Sequence, residues 1–257
     1  MAVNILVTGG SGFIGSSLGT ALKAQGHTVR IFDRIYHDDV TNPLFLSHAV
    51  KESDIVYHLA ALTTIEDSIS HPEDYYHTNI TGTATVLHAC TVHKKKLIYT
   101  SSAAVYDGSS SPYARSKALA ELFVSLYASF LPTVVLRLFN VYGPGMKTTT
   151  MLSRFQTESP VTIYGTGKQT RDFIHIDDVT DILIAALDSS WSGKTMDVGT
   201  GKPRSVLSVA QQFGKPIQYR EKRSEVNDSV ADISTLLSLY KKPFHLLNDY
   251  IDRCSKP

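Results

Sequence analysis

The stretch Thr8-Gly9-Gly10-Ser11-Gly12-Phe13-Ile14-Gly15 constrains this chain more than any other. It follows a β-branched, aliphatic run over 3–7 and opens a helical pattern over 16–25 that Gly26 stops. Glycines between a strand and a helix let the backbone turn tightly and approach a pyrophosphate, which then sits at the positive end of the helix. The same fingerprint needs an acid at the end of the next strand, and Asp33 closes the run 28–33. A carboxylate there accepts hydrogen bonds from both hydroxyls of an adenosine ribose and repels a 2′-phosphate. NAD is therefore expected, with NADP kept open by the neighbouring Arg34. The candidate cofactor residues of this segment are Gly9, Gly12, Phe13, Ile14, Gly15, Asp33 and Arg34.

Strand-like runs recur at 54–59, 96–100 and 133–138, nearly all apolar, as expected when helices cover both faces of a parallel sheet. Helical patterns lie between them at about 75–93 and 113–130. In the second, Leu119, Leu122, Phe123, Leu126 and Phe130 form one apolar stripe, read as core-facing. After Asn140 the texture changes to shorter elements with more Gly, Pro and Thr, while 177–198 reads as a helix and strand returned to the main sheet. The expected architecture is α/β: a Rossmann-type, doubly wound parallel sheet with a smaller C-terminal substrate-binding region. The cofactor domain is placed at 1–140 and 177–198, and the substrate region at 141–176 and 199–257.

Composition narrows the function by exclusion. A formal net charge of +1 argues against nucleic acid and membrane surfaces as partners. No apolar run approaches the roughly 20 residues of a membrane span, and the N-terminus enters a strand with no signal-peptide pattern. Cys90 and Cys254 are far apart and lack metal spacing, so a reducing, cytoplasmic setting is expected. His71, His77, His88 and His93 scatter around one helix and form no ligand set, so no metal is expected. Lys94-Lys95-Lys96 reads as a solvated helix end, and Asp177-Asp178 as a helix N-cap.

Pro112-Tyr113-Ala114-Arg115-Ser116-Lys117 places Tyr113 and Lys117 four residues apart, on one face of a helix. A free phenol titrates near 10; a nearby ammonium favours the phenolate and lowers that value. The preceding strand ends Thr100-Ser101-Ser102-Ala103-Ala104-Val105-Tyr106, where a hydroxyl can hydrogen-bond a substrate oxygen beside the tyrosine. Ser102, Tyr113 and Lys117 are the candidate catalytic residues, and Lys117 can also reach nicotinamide-ribose hydroxyls.

These motifs, with His58-Leu59-Ala60-Ala61, Asn79, Gly82-Thr83, the segments 136–145 and 171–179, and Asp197 to Gly201, closely resemble the extended short-chain dehydrogenase/reductases, the NAD-dependent epimerase/dehydratase family. The resemblance implies that Asp39 and Val40 flank the adenine, that Leu59, Ala60 and Ala61 line the cofactor, and that Asn79 orders its site. It implies that Tyr113 takes a sugar hydroxyl proton while hydride passes to NAD, giving a keto-sugar. The family's 4,6-dehydratases carry an Asp-Glu pair just after the strand-end hydroxyl, and its decarboxylases keep a glutamate in this segment. Here Ala103-Ala104 can move no proton. A 4-epimerase needs no extra group, so epimerisation of a UDP-hexose at C4 is the expected reaction. The alternatives are a nucleotide-sugar reductase or dehydratase, or a non-catalytic NAD-binding regulator.

The same resemblance makes Asn140 a diphosphate contact, Tyr164 a stacking partner for the uracil, and Arg171 a phosphate partner through its planar donors. Arg223 and Glu225 stand for the family's Arg-x-x-Asp clamp, one residue short. A homodimer built on the helices at 75–93 and 113–130 is expected. Two segments are shorter than in the family: Asp33 to Asp39, which omits most of a loop and strand, and Tyr106 to Pro112, bridged only by Asp107, Gly108 and three serines. Loops of this kind shape pockets, so their trimming bears on which sugar fits.

Overall fold

The computed structural model describes residues 2–107, 111–222 and 226–254. In chain order its elements begin β1 (Asn4–Thr8), α1 (Phe13–Ala24), β2 (Thr28–Phe32), α2 (Pro43–Lys51) and β3 (Ile55–His58). Next come α3 (Ile65–Ser70), α4 (Pro72–Tyr75), α5 (Gly82–His93), β4 (Lys96–Ser102), α6 (Pro112–Tyr127) and β5 (Thr133–Leu138). Then follow β6 (Asn140–Tyr142), α7 (Met151–Thr157), β7 (Val161–Tyr164), β8 (Thr170–Arg171), β9 (Phe173–His175), α8 (Ile176–Ala185) and β10 (Lys194–Val198). The chain ends with β11 (Arg204–Ser205), α9 (Val206–Gln211), β12 (Ile217–Arg220), α10 (Ser234–Leu239) and α11 (Leu247–Cys254). Two compact units result: Met1–Arg137 with Thr180–Met196, and Leu138–Val179 with Asp197–Pro257.

The first unit is built on a sheet of order β10-β5-β4-β3-β1-β2. β1 pairs in parallel with β2 on one side and with β3 on the other, and β3 pairs in parallel with β4. The chain therefore reverses its direction of winding between β1 and β3, a topological switch point where open α/β sheets bind ligands. Alternate residues explain why the strands read as continuous apolar runs. Leu6, Val56, Leu97, Tyr99 and Val135 pack against Leu46, Val50, Val86, Leu87, Ala120 and Val124 of α2, α5 and α6. Their neighbours Ile5, Val7, Tyr57 and Ile98 are buried on the opposite face, where Tyr57 Oη donates to the carbonyl of Leu183 on α8 at 2.7 Å. β2 is the edge strand beyond the switch, and the short link after Asp33 adds no further strand.

Three local expectations in this unit are revised. The stretch read as one helix over 75–93 is interrupted: residues 76–81 form a π-helical turn between α4 and α5. Most of the stripe over α6 and just beyond it faces outward, with Leu119, Leu122, Leu126 and Phe130 exposed, while Phe123 packs partly buried against the core as expected. The buried face carries Tyr113, Ala114, Ser116, Lys117, Ala120 and Val124 instead, because the groups closest to the sheet are polar and small. The lysine run is divided as well. Lys94 takes a left-handed C-cap at φ 53°, while Lys96 Nζ donates to the carbonyls of Ala186, Leu187 and Asp188 at 2.8, 3.1 and 2.8 Å, capping the end of α8.

In the second unit, β6 pairs in parallel with β9, β7 in parallel with β12, and β8 antiparallel with β11. Phe155, Val161, Ile163, Phe173, Val209, Phe213 and Ile251 form its core. Asp177 and Asp178 lie inside the first turn of α8 rather than at its cap. The Asp178 carboxylate accepts from the backbone N–H of His245 at 2.9 Å and bonds His245 Nδ1 at 2.8 Å.

Candidate active site

The glycine loop fits against the carboxyl ends of β1 and β3. Gly9 has φ +67°, and a Cβ there would lie 2.6 Å from the backbone nitrogen of Ala60. A Cβ on Gly15 would lie 2.4 Å from the carbonyl oxygen of Gly9. Only glycine satisfies both positions, and the result is a backbone cradle flush with Leu59 and Ala60. Gly12 is the N-cap of α1 and supplies no side-chain cap, and the helix has no acid in its first turn. The first N–H groups, those of Phe13 and Ile14 among them, thus present their donors and the helix dipole to an anion. Asp33 stands at the rim, its Oδ2 accepting from Ser11 N at 3.0 Å and its Oδ1 from Ile35 N at 3.3 Å. Arg34 turns to Asp39 at 3.2 Å and to Thr78 Oγ1 at 3.1 Å. Burial alone would raise the Asp39 carboxyl; hydrogen bonds from Thr41 and the Arg34 cation bring it below its ordinary value. Val40 is buried beside them.

Behind the cradle lies a chain of buried polar groups in which only Asn79 was assigned from the sequence. Thr83 Oγ1 donates to Asn79 O at 2.6 Å, so it accepts from His58 Nε2 at 3.0 Å. His58 Nδ1 then accepts from Thr8 Oγ1 at 2.8 Å, and Thr8 Oγ1 in turn accepts from Ala60 N at 3.3 Å. Asn79 is buried and turned inward: its Oδ1 accepts from Leu62 N, and its Nδ2 donates to Leu62 O and to Ser116 Oγ at 2.9 Å. It fixes the segment after Ala60-Ala61 and the residue next to Lys117. Apart from the Thr83–Asn79 bond, the partners are distant in sequence, so no local motif announces the network.

Burial, with the nearby Lys117 cation, lowers the His58 pKa from 6.5 to about 3. Between those values the unfolded chain binds a proton here and the folded chain does not. The contribution of His58 is present above pH 6.5 and is lost as pH falls, at about 1.4 kcal/mol per pH unit. In urea melts between pH 6.5 and 4.5, the midpoint of His58→Gln is expected to fall less than that of the wild type; equal slopes would remove His58 from the acid sensitivity.

The catalytic candidates come together at the start of α6, where Ser111 caps the helix through Ala114 N at 3.1 Å and Pro112 takes its first position. The Ser102 side chain hydrogen-bonds Tyr113. Its Oγ accepts from Ala104 N at 3.2 Å, so its hydrogen is available to the phenol oxygen. Tyr113 packs edge-on to Tyr75, with centroids 6.4 Å apart. Lys117 is buried; its Nζ donates to Thr100 O at 2.7 Å and lies 4.5 Å from the centre of the Tyr99 ring. The expectation that an ammonium pulls the tyrosine down is corrected. Burial raises the Tyr113 pKa, Ser102 opposes that rise, and Tyr75 adds to it. Burial also brings Lys117 down to about 7, with Glu121 opposing.

In the second unit, Asn140 Nδ2 donates to Asp172 O at 3.0 Å. Arg171 Nη1 donates to the carbonyls of Thr170 and Val226 at 2.7 and 3.0 Å. Tyr164 borders a groove of about 450 Å³ lined also by Arg154, Thr162, Gln218 and Arg220. The Arg154 guanidinium stands 6.0 Å from the Tyr164 ring centre, and Gln218 Nε2 donates to Thr162 Oγ1 at 2.7 Å. Arg223 and Glu225 lie outside the described residues.

A glycine cradle at the switch point of a parallel sheet, together with a Tyr-x-x-x-Lys helix whose tyrosine meets a strand-end serine, defines an NAD-dependent enzyme of the short-chain dehydrogenase/reductase class. The chain belongs to the NAD-dependent epimerase/dehydratase family, whose model matches residues 5–199. It is 31% identical to a UDP-N-acetyl-alpha-D-glucosaminuronate decarboxylase of Bacillus cytotoxicus, over 83% of this chain and 80% of that protein. It is also 31% identical to a UDP-glucuronate 4-epimerase of Thermodesulfobacterium geofontis, over 95% and 90%. The structure of MoeE5 in complex with UDP-glucuronic acid and NAD superposes with a TM-score of 0.89 at 29% identity, covering 97% of this chain and 96% of that one. The protein is thus an enzyme of a family that modifies nucleotide sugars with NAD, and the cradle, the open helix end and Asp33 suit that cofactor. Among the described residues no helix is long and apolar enough to cross a membrane.

Proposed function

We propose that this enzyme epimerises a UDP-hexose at C4 through a transient 4-keto sugar. The observation that carries the reading is the turn after Ser102. Residues 103–107 form a short helical turn that follows Ser102 directly in the chain, and the positions after the serine are Ala103 and Ala104. An elimination or decarboxylation needs a further acid or base there. A hydride removed and returned does not.

In this reading Tyr113 takes the proton of the sugar 4-hydroxyl, Ser102 donates a hydrogen bond to the same oxygen, and Lys117 holds positive charge behind them. NAD, when bound, supplies the hydride acceptor and the positive ring that draws the phenol towards phenolate. Rotation of the keto-sugar, return of the hydride to its other face and return of the proton by Tyr113 would give the epimer with no net oxidation. The first unit carries Gly9, Gly12, Phe13, Ile14, Gly15, Asp33, Asp39, Val40, Leu59, Ala60, Ala61 and Asn79 as the cofactor residues. Asn140, Tyr164 and Arg171 of the second serve the uridine diphosphate. The inward hydrogen bonds of Asn79 make its part an ordering one.

The test is incubation of the purified protein with UDP-glucose, UDP-N-acetylglucosamine and UDP-glucuronate separately, without and then with added NAD, followed by proton NMR. A C4 epimer from any of them supports the reading. A stable 4-keto product, loss of carbon dioxide, or no product at all overturns it.

The outward stripe Leu119, Leu122, Leu126 and Phe130, exposed by 45–75%, supports a homodimer joined through α6. Leu122→Glu with Leu126→Glu is expected to convert a dimer into a monomer in light scattering; a monomeric wild type would end that assignment. The cytoplasm suits the two free cysteines, Cys90 being buried.

A further inference from the structure

On α6, one turn beyond Lys117, the same buried face carries Glu121, whose side chain is only 14% exposed. A carboxylate in such a place needs partners, and it has them from two other elements. Ser101 Oγ donates to its Oε2 at 2.6 Å. Arg137 of β5 meets it as a fork: Nε lies 2.9 Å from Oε1 and 3.2 Å from Oε2, while Nη2 makes a further close bond to Oε1. The remaining arm of the guanidinium, Nη1, donates to Tyr106 Oη at 2.6 Å, and the guanidinium stands 5.1 Å from the centre of the Tyr106 ring. Ser101 immediately precedes Ser102, and Tyr106 lies in the turn, Ala103–Asp107, that immediately follows it.

We propose that Glu121 and Arg137 are a positioning pair: together they tie both ends of the Ser101–Tyr106 segment to the helix that carries Tyr113 and Lys117, and so hold Ser102 on the tyrosine. The inference rests on the assignment of Ser102, Tyr113 and Lys117 as the catalytic group. Neither Glu121 nor Arg137 is asked to touch substrate or cofactor. The pair has a second effect through charge. Lys117 is surrounded by the Tyr99 ring on β4, neutral His58 on β3, Tyr113 on its own helix and the Glu121 carboxylate one turn on. Burial brings the ammonium down to about 7, and Glu121 is the group that opposes this. Removing its charge leaves Lys117 without the carboxylate that opposes the effect of burial.

Glu121→Gln keeps the shape of the side chain and removes the charge. With the NAD-loaded enzyme and the UDP-sugar turned over in the NMR test, kcat is expected to fall about 10- to 100-fold, as misplacement of a catalytic group does, with KM and NAD affinity nearly unchanged. The Lys117 titration, followed by NMR of 13Cε-labelled lysine, is expected to move down by about one pH unit. An unchanged Lys117 midpoint with unchanged kcat overturns the proposal, and so does a loss of activity that leaves the midpoint in place. Should that variant fail to fold, Ser101→Ala and Tyr106→Phe each cut one tie alone. Both are expected to lower kcat and leave NAD affinity intact, and wild-type turnover in both overturns the proposal. Tyr113→Phe separates the two levels: an active Tyr113→Phe sinks the catalytic assignment itself, whereas an inactive one with a wild-type Glu121→Gln sinks only the positioning pair.

Discussion

Tyr113→Phe is expected to lower kcat by about 10²- to 10⁴-fold while leaving NAD affinity within a few-fold of wild type. The substitution removes one oxygen from a side chain that is otherwise packed. The ring is buried and meets Tyr75 edge-on, so phenylalanine keeps its place and its volume. Ser102 loses one partner, but its Oγ still accepts from Ala104 N at 3.2 Å, so the stability cost is about 1 kcal/mol. The glycine cradle, Asp33 and the open end of α1 are untouched. A proton carrier has been deleted from a site that is otherwise assembled, and the loss should therefore appear in kcat rather than in KM or in cofactor binding. Isothermal titration with NAD and steady-state turnover check both halves. Turnover within tenfold of wild type would show that another group moves the proton.

What the sequence made legible is what lies within one or two turns of the chain. The glycine loop is read from eight consecutive residues, and the structure gives it a strand before, a helix after and a switch point beside it. Tyr113 and Lys117 share a helix face because four residues span about one turn, and both are buried. Periodicity misled on the same helix for a physical reason. It assumes that the largest apolar side chains seek the core. On α6 the inner face is instead given to Tyr113, Ser116, Lys117 and Glu121, which leaves Leu122 and Leu126 outside. The shift of Tyr113 was misjudged because charge is visible in a sequence and burial is not; here burial is the larger effect. Partners separated by long stretches of chain left no trace: His58 with Thr8 and Thr83, Glu121 with Arg137, and Lys96 with the end of α8. Each depends on which strands are neighbours.

Asp172 is the strongest case of such a distant anchor, and its loss should have the largest effect on the second unit. It is fully buried. Its Oδ1 accepts from Thr200 N at 2.9 Å and Thr200 Oγ1 at 2.7 Å, and its Oδ2 accepts from Gly201 N at 2.8 Å and Ala231 N at 3.2 Å. One carboxylate thus pins the turn after β10 and the segment at Ala231 to the chain entering β9. Asp172→Ala leaves these donors facing a cavity, at a cost of about 1–3 kcal/mol for each one that water cannot reach, so a total of about 3–5 kcal/mol is expected. Asp172→Asn keeps one acceptor but turns an NH₂ group towards an N–H or O–H, and should fall in between. Hydrogen exchange gives the local readout: the amides of Thr200, Gly201 and Ala231 are expected to exchange about 100-fold faster or more in Asp172→Ala, since each 1.4 kcal/mol is a factor of ten. Wild-type protection at those amides would mean that the backbone holds the turn unaided. The same variant also bears on the nucleotide. Arg171 is adjacent to Asp172 and reaches the carbonyl of Val226, in the segment that Ala231 anchors. If Arg171 holds the diphosphate, loosening that anchor should raise KM for the UDP-sugar more than it lowers kcat. A fall in kcat alone would argue that Asp172 stabilises the unit without presenting the arginine.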